Sequence, residues 1–179
     1  MTTIELETDR LFLRPIDKDA VEPHIAMMFD PAVASFLTPA GLPRPYGEEW
    51  RAVASYIGHW SIRGYGLFSV YVKDTGKWVG RVGPWMPGGW PGLECGWAIV
   101  RECWGKGYAP EAAIATIKWT FDQFPDLDRI ISAIDPKNVN SQAVATKIGE
   151  TNSGEVFDIH GSTVDLWSLD REPWLAKFG

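Results

Sequence analysis

The hydrophobic positions of the chain follow two periods, and the changes between them predict the order of the elements. Apolar residues alternate with other residues in strands and recur every three to four positions in helices. Alternation predicts strands at 10–15, 66–73, 76–85, 93–100, 129–135 and two more around 155–169. Helical spacing predicts helices at 17–29, 50–60, 108–124 and 140–149. Proline and glycine content predicts loops at 38–49 and 84–92.

The order of these elements predicts a mixed α/β (α+β) fold. Strands 66–73, 76–85 and 93–100 follow one another, the first two across a short Asp-Thr-Gly turn, which indicates an antiparallel meander. Later strands are interleaved with helices, so we expect a mostly antiparallel mixed sheet with one parallel insertion, flanked by helices. A chain of 179 residues is long enough for one sizeable core and short for two. We therefore expect a single domain over residues 1–179.

The acidic charge balance limits the function classes. The formal net charge is −6, whereas non-specific nucleic-acid binding relies on lysines and arginines that neutralise phosphates, so we expect no nucleic-acid partner. Segment 1–10 has no apolar stretch, and apolar runs such as 25–29 are too short to span a bilayer. We expect a cytoplasmic protein with no membrane partner. The sequence is also compatible with a homodimer.

The cysteines and histidines show no metal-binding pattern. Cys95 and Cys103 have neither the spacing of a metal site nor that of a disulfide framework, so we expect two free thiols. His24, His59 and His160 are scattered along the chain. Because no histidine lies near Cys103 in the sequence, we do not expect that cysteine to act as a nucleophile.

Tryptophan is unusually abundant. Ten tryptophans exceed what a core of this size needs, and they indicate an aromatic-lined pocket. Trp85 and Trp90 lie in segment 84–92, whose prolines and glycines argue against regular structure. Both are candidates to bind a substrate, and the alternative is that they cover the sheet.

Strand 93–100 and the loop after it form the candidate site. Alternation places Glu94, Gly96, Ala98 and Val100 on one face, a carboxylate followed by small residues, which leaves a groove for a slender ligand. The loop RECWGKGYA then sets two glycines before a helix, so that N–H groups converge there and suit a pyrophosphate. The alternative is a tight turn without a guest. The spacing excludes a dinucleotide fingerprint and a P-loop.

These landmarks resemble the GNAT superfamily of acetyl-coenzyme A dependent acyltransferases. The stretches TDRLFLRPI, GRVGPWMPGGWPGLECGWAIV, RECWGKGYAPEA and DPKNVNSQAVATKIG are similar to the branch of the ribosomal-protein N-terminal acetyltransferases RimJ and RimL. The resemblance implies acetyl-CoA as co-substrate without a metal, its pantetheine beside the strand and its pyrophosphate on the loop amides. The cofactor-binding residues that it implies are Ala98, Ile99, Val100, Arg101, Gly105, Lys106, Gly107, Tyr108, Ala109 and Asn138.

Two positions depart from the pattern of that family. Glu102 stands where a glutamine or arginine is usual, three residues before the first glycine. Ala145 stands where many relatives have a tyrosine that protonates the departing thiolate. The resemblance places Ser141 near the thioester, so its hydroxyl is the candidate proton donor. The alternative is that Ser141 only caps the helix that follows.

Glu94 is the candidate general base, because it lies on the groove face where an ammonium acceptor must lose a proton. The alternative is an ordinary surface carboxylate. The sequence therefore predicts an N-acetyltransferase that transfers acetyl from acetyl-CoA to a primary amine, a protein N-terminus or a small molecule, by direct attack in a ternary complex. The other hypothesis is a non-catalytic acyl-CoA-binding sensor, which Glu102 and the missing tyrosine favour.

Overall fold

A mixed sheet runs through the protein in a computed structural model that describes residues 4–159 and 161–179. Its strands are β1 (Leu6–Glu7), β2 (Leu11–Pro15), β3 (Phe68–Val72), β4 (Trp78–Trp85), β5 (Glu94–Ile99), β6 (Arg129–Ile134), β7 (Thr151–Ile159) and β8 (Ser162–Asp170). The helices are α1 (Val21–Met28), α2 (Pro31–Ala34), α3 (Tyr46–Arg63), α4 (Tyr108–Gln123), α5 (Val139–Ile148) and α6 (Arg171–Phe178). His160 lies outside the described residues.

The strand order confirms the expected sheet. The strands lie in the order β1-β2-β3-β4-β5-β6-β8-β7. All neighbouring pairs are antiparallel except β5 and β6, which run parallel. Those two strands pair only at Glu94 and Ile131. Past that pair they separate, and a gap opens in the middle of the sheet.

Two cores lie on opposite faces of this sheet. The core on the side of α4 and α6 includes Leu11, Phe68, Ile117, Phe121 and Trp174. The core on the side of α1 and α3 includes Met27, Val53, Leu67, Trp78 and Ala98. Because Ile99 belongs to the first core and Ala98 to the second, successive residues of β5 face opposite sides, as alternation in a strand requires.

Several boundaries differ from the sequence prediction. The predicted loop 38–49 is too long, because α3 already begins at Tyr46 with two glutamates in its first turn, where they favour the helix dipole. The predicted helix 50–60 is correspondingly too short. The sequence also did not predict β1, α2 or α6. Helix α6 has one buried residue, Trp174, so its sequence shows almost no amphipathic pattern.

In the part of the chain that the structure describes, no helix has the length and apolar character needed to cross a membrane.

Candidate functional site

The separation of β5 from β6 leaves one edge of β5 without a neighbouring strand. The Val100 N–H donates to the Val79 carbonyl oxygen at 2.9 Å, on the opposite edge. Because backbone groups of successive strand residues point to opposite edges, the Ala98 N–H also faces β4, and those of Trp97 and Ile99 face the gap. Of the segment 98–100 that the resemblance implied, Ile99 thus has its N–H toward the gap, the Ala98 and Val100 N–H groups face β4, and the Trp97 N–H is a further donor at the gap.

The glycine loop has the geometry that its sequence predicted. Gly105 and Gly107 have φ values of 74° and 81°, in the left-handed region that favours glycine, and α4 begins at the next residue, Tyr108. The first N–H groups of a helix have no intrahelical partner. With the positive end of the helix dipole, they form a site for an anion.

Arg10 fixes this loop from the start of β2. Its Nη1 donates to the Lys106 carbonyl oxygen at 2.9 Å, and its Nε donates to Oε2 of Glu111 at 2.7 Å. The guanidinium carbon also lies 4.9 Å from the ring centre of Tyr108. Arg10 and Lys106 are 96 positions apart, so no local sequence signal connects them. Sequence reasoning missed this support.

A cavity of about 470 Å³ lies between the loop and the gap in the sheet, and we call it the glycine-loop cavity. The candidate residues that line it are Ala98, Ile99, Gly105, Gly107, Tyr108, Ala109, Asn138 and Ser141. Val100, Arg101 and Lys106 are not among the lining residues. Trp97 and Trp104 line it as well, and neither was expected from the sequence. The Trp104 Nε1 donates to the Ile99 carbonyl oxygen at 2.7 Å and so satisfies one of the backbone acceptors that face the gap.

A second cavity, of about 790 Å³, lies on the other side of the gap, and we call it the Glu94 cavity. Trp85 and Trp90 both line it, as does Glu94. The two cavities share six lining residues, namely Ser35, Phe36, Leu37, Trp97, Asn138 and Ser141. These residues mark the junction of the cavities, where groups bound on either side would meet.

Glu94 has the environment of a general base. Its Oε2 accepts a hydrogen bond from Trp90 Nε1 at 2.6 Å. Loss of hydration raises the pKa of Glu94 to about 7, although hydrogen bonds from Trp90 and from the Ala133 backbone and the positive charge of Arg81 lower it. A carboxyl group with a pKa near 7 can both accept and release a proton at neutral pH. Trp90 thus orients Glu94 as well as lining the cavity.

Ser141 lies at the junction with its hydroxyl available for donation. Its Oγ accepts a hydrogen bond from Trp97 Nε1 at 3.2 Å, and no acceptor for its own proton is found among the described residues. The alternative capping role is wrong: Asn138 is the N-cap of α5, and its side chain accepts from the Ser141 N–H at 3.1 Å. Asparagine at this place satisfies a free helical N–H, so Ser141 is not needed as a cap.

A second buried carboxyl group supports the gap. Oγ of Ser132 lies 2.8 Å from Oε1 of Glu150 and 2.8 Å from the carbonyl oxygen of Cys95. A hydroxyl has one proton, so one of these two contacts needs a proton from the carboxyl group. Burial, and to a smaller extent the nearby charge of Glu94, raise the pKa of Glu150 to about 8 although the Ser132 hydrogen bond lowers it, so Glu150 mostly keeps its proton at neutral pH.

The remaining candidates lie outside the junction. Glu102 is exposed, and its Oε1 accepts from Nζ of Lys77 at 2.5 Å. Cys103 is buried beside the glycine-loop cavity, with Nζ of Lys106 at 3.9 Å from its sulfur. Both cysteines are free thiols, as expected. Among residues 4–159 and 161–179, no group of three or more His, Cys, Asp or Glu side chains could hold a metal ion.

Known proteins resemble this chain in sequence and in fold. The protein YkkB of Bacillus subtilis (strain 168) is 32% identical over 154 residues, which cover 81% of this chain and 84% of YkkB. The crystal structure of an acetyltransferase from Agrobacterium tumefaciens str. C58 has a TM-score of 0.83 at 26% identity and covers 96% of each chain. RimL, the ribosomal L7/L12 α-N-protein acetyltransferase in complex with coenzyme A, has a TM-score of 0.73 at 16% identity, covering 93% of this chain and 98% of RimL.

The family model of the acetyltransferase (GNAT) domain matches residues 10–151. That match includes the glycine loop, the gap, Glu94 and Glu150. The chain belongs to the GNAT acetyltransferase family.

Proposed function

We propose that this acetyltransferase transfers acetyl from acetyl-CoA to a primary amine by direct attack, with Glu94 as the general base. The observation that carries the proposal is the junction of the two cavities. Glu94 lines one cavity, the glycine loop lines the other, and Ser141 lines both. A donor and an acceptor bound on opposite sides of the gap can therefore meet without leaving the protein, as a ternary-complex reaction requires.

The residues of the glycine-loop cavity fit the proposed co-substrate, which supplies the acetyl group as a thioester. The left-handed glycines and the first N–H groups of α4 suit a pyrophosphate. Among the described residues, no acidic side chain lines the cavity, so none of them repels phosphates there. The N–H groups of Trp97 and Ile99 at the open edge of β5 suit the amides of a pantetheine arm. Fold neighbours such as RimL with coenzyme A support the same assignment.

Glu94 is placed to take a proton from the acceptor. An amine arrives mostly as ammonium at neutral pH and cannot attack until it loses a proton. With a pKa of about 7, Glu94 is ionised in a large fraction of molecules and basic enough to accept that proton. Trp90 keeps the carboxylate in one orientation through its hydrogen bond. This supports Glu94 as a catalytic group.

At the junction, backbone amides and Ser141 have complementary roles. A backbone N–H at the open edge of β5 would stabilise negative charge that develops on the carbonyl oxygen under attack. The Ser141 hydroxyl accepts from Trp97 and can donate its own proton to the sulfur of the leaving group. It would thus take the role of the tyrosine that many relatives have at this position. Ala145 is fully buried and offers no donor.

The experiment is a release assay for free coenzyme A. Acetyl-CoA is supplied with a panel of small amines and of peptides with free N-termini, and each acceptor is matched with its N-acetylated form as a control. We expect free thiol to appear only with acceptors that have a free amine, together with N-acetylated product by mass spectrometry. Acetyl-CoA binding without thiol release for any acceptor would instead identify a sensor.

The route of transfer has its own readout. Direct attack leaves no acetyl group on the protein, so the intact mass should be unchanged during turnover, and Cys103→Ala should retain most of the activity. An acetylated Cys103 that passes its acetyl group to the acceptor would establish a ping-pong route and contradict the proposal.

A further inference from the structure

Arg81 is a cation in the Glu94 cavity for which the described residues supply no hydrogen-bond acceptor. It lies on β4, and its guanidinium carbon is 4.7 Å from the ring centre of Tyr56, which lines the same cavity. Its Nε is buried and has no hydrogen-bond partner in the part of the chain that the structure describes. Within that part, no carboxylate forms an ion pair with it. A guanidinium can donate five hydrogen bonds, and Arg81 donates none of them to the described residues.

The other charged groups of the cavity are paired or exposed. Arg44 donates to Oε1 of the buried Glu49 at 2.7 Å. Glu94 accepts from Trp90. Arg51 and Glu48 are exposed, so water satisfies and screens their charges, and Asp135 accepts from the Lys137 N–H at 2.7 Å. Because a partly buried charge is costly unless it is paired, Arg81 is the group of this cavity that most lacks a partner.

Arg81 and Glu94 share one face of the sheet. Arg81 lies opposite Ala98 across the β4–β5 pair, and Trp85 lies opposite Glu94. Opposed residues of an antiparallel pair point to the same side of the sheet. Ala98 and Glu94 are an even number of residues apart on β5, so their side chains also point to the same side. The two residues are therefore offset along the strands by about 13 Å at the backbone, and the charge of Arg81 is near enough to lower the pKa of Glu94.

On this face of β5, the residues between the two charges are small. Gly96 lies between Glu94 and Ala98, and a Cβ added there would be 3.6 Å from Oε1 of Glu94. A ligand can thus pass along β5 from the carboxylate toward the guanidinium. The two charges have opposite sign and would hold opposite ends of a molecule that carries both an ammonium and an anion.

We propose that Arg81 binds an anionic group of the acceptor, so that the natural acceptor is a primary amine that also carries a carboxylate or a phosphate. The proposal rests on the function proposed above and assigns the chemical class of its acceptor. The amine lies at Glu94 and the anion at Arg81. A guanidinium suits this task because it binds a carboxylate or phosphate through two parallel hydrogen bonds.

The test compares acceptors that differ only in this anion. One arm uses small molecules, 4-aminobutyrate against 4-aminobutyramide and phosphoethanolamine against ethanolamine. The other uses peptides with amidated C-termini that begin with Asp-Ala or Asn-Ala. We expect kcat/KM for coenzyme A release to be higher for the anionic member by about 10- to 100-fold, the contribution of a charge-assisted hydrogen bond. The arm that shows the larger ratio identifies the source of the anion.

Substitution of Arg81 should remove that preference. Arg81→Met should lower kcat/KM for the anionic members mainly through KM, and it should leave the ratio within each pair near one. A change in the pKa of Glu94 would affect both members equally, so the ratio isolates the anion contact. Arg81→Lys keeps the charge and should keep part of the preference, which provides a variant that tests the idea if Arg81→Met does not fold.

Arg51→Met is the matched control, because it removes an exposed arginine from the same cavity and should leave the ratios unchanged. Equal kcat/KM within every pair for the wild-type enzyme, or unchanged ratios in Arg81→Met, would overturn the proposal while acetyl transfer itself stands. Absence of thiol release with every acceptor would instead refute the proposed function, so the two failures are distinct.

Discussion

The two cavities differ in the chemistry of the residues that line them. The glycine-loop cavity is lined mainly by apolar, aromatic and small uncharged residues, and Lys147 is the one charged residue among those that line it in the described part of the chain. The Glu94 cavity is lined by charged side chains, which are Arg44, Glu48, Arg51, Arg81, Glu94 and Asp135. One side therefore offers a ligand a nearly uncharged surface with backbone groups, and the other offers charged side chains. Changes on the two sides should consequently affect different kinetic constants.

The largest expected effect is a loss of catalytic rate when Glu94 is substituted, without a loss of acetyl-CoA affinity. Glu94→Gln keeps the shape of the side chain and removes its basicity, and a positioned general base contributes about 10²- to 10⁴-fold in rate. We expect kcat to fall in that range while calorimetry shows unchanged acetyl-CoA affinity. Glu150→Gln is the control, because it makes the same substitution at a buried glutamate that lines neither cavity. It should retain activity at neutral pH, where Glu150 is already protonated.

A substitution in the glycine loop should lower acetyl-CoA affinity, which Glu94→Gln leaves unchanged. Gly107→Val introduces a β-branched residue at φ 81° and a Cβ that would lie 3.2 Å from Nη2 of Arg10, so the loop must change shape. We expect acetyl-CoA affinity to fall by about 10- to 100-fold, equivalent to one or two lost charge-assisted hydrogen bonds. Gly58→Ala, in the middle of α3 with open space around its Cβ, is the control. Unchanged calorimetry for Gly107→Val would refute the anion site.

A smaller effect distinguishes two tryptophans on the two sides of the junction. The Trp90 hydrogen bond lowers the pKa of Glu94, so Trp90→Phe should raise the pH at which the rate is half-maximal and reduce turnover at pH 7 by up to about tenfold. Trp104→Phe removes a hydrogen bond to the Ile99 carbonyl oxygen in the other cavity. It should change acetyl-CoA affinity and leave the pH midpoint unaltered. A reversed pattern would mean that the tryptophans do not act on separate cavities.

For Glu150, the expected effect appears in stability rather than in rate. Its pKa of about 8 exceeds the value of 4.5 expected in the unfolded chain, so the folded state binds more protons between these pH values. Stability therefore falls as pH rises through this window. Glu150→Gln has no such loss of stability, so its melting temperature relative to that of the wild type should rise from pH 5 to pH 8. The rise should be about 2–4 °C for each kcal/mol of stability that the wild type loses over this range. A constant difference across this range would contradict a raised pKa.

The same contrast explains what could be predicted from the sequence. The strand, the glycine loop and the helix after it are contiguous, and glycine is required by local backbone geometry, so the loop was visible before the structure. The position of Arg81 in the Glu94 cavity depends on the register of β4 against β5, which no local sequence pattern reveals. Arg10 and Glu150 likewise reach the site from distant segments. The helix α6 was missed because one buried tryptophan creates no periodic pattern.

The most direct test of acetyl transfer with Glu94 as the base is the dependence of kcat on pH, measured with saturating acetyl-CoA and amine. Because Glu94 must be ionised to accept a proton, wild-type kcat should rise with pH to a plateau, with a midpoint near the Glu94 pKa of about 7. In Glu94→Gln this titration should be absent, and the low residual rate should increase only as the acceptor itself loses its proton. A Glu94→Gln enzyme with the wild-type rate and the wild-type midpoint would contradict the assignment of Glu94 as the base.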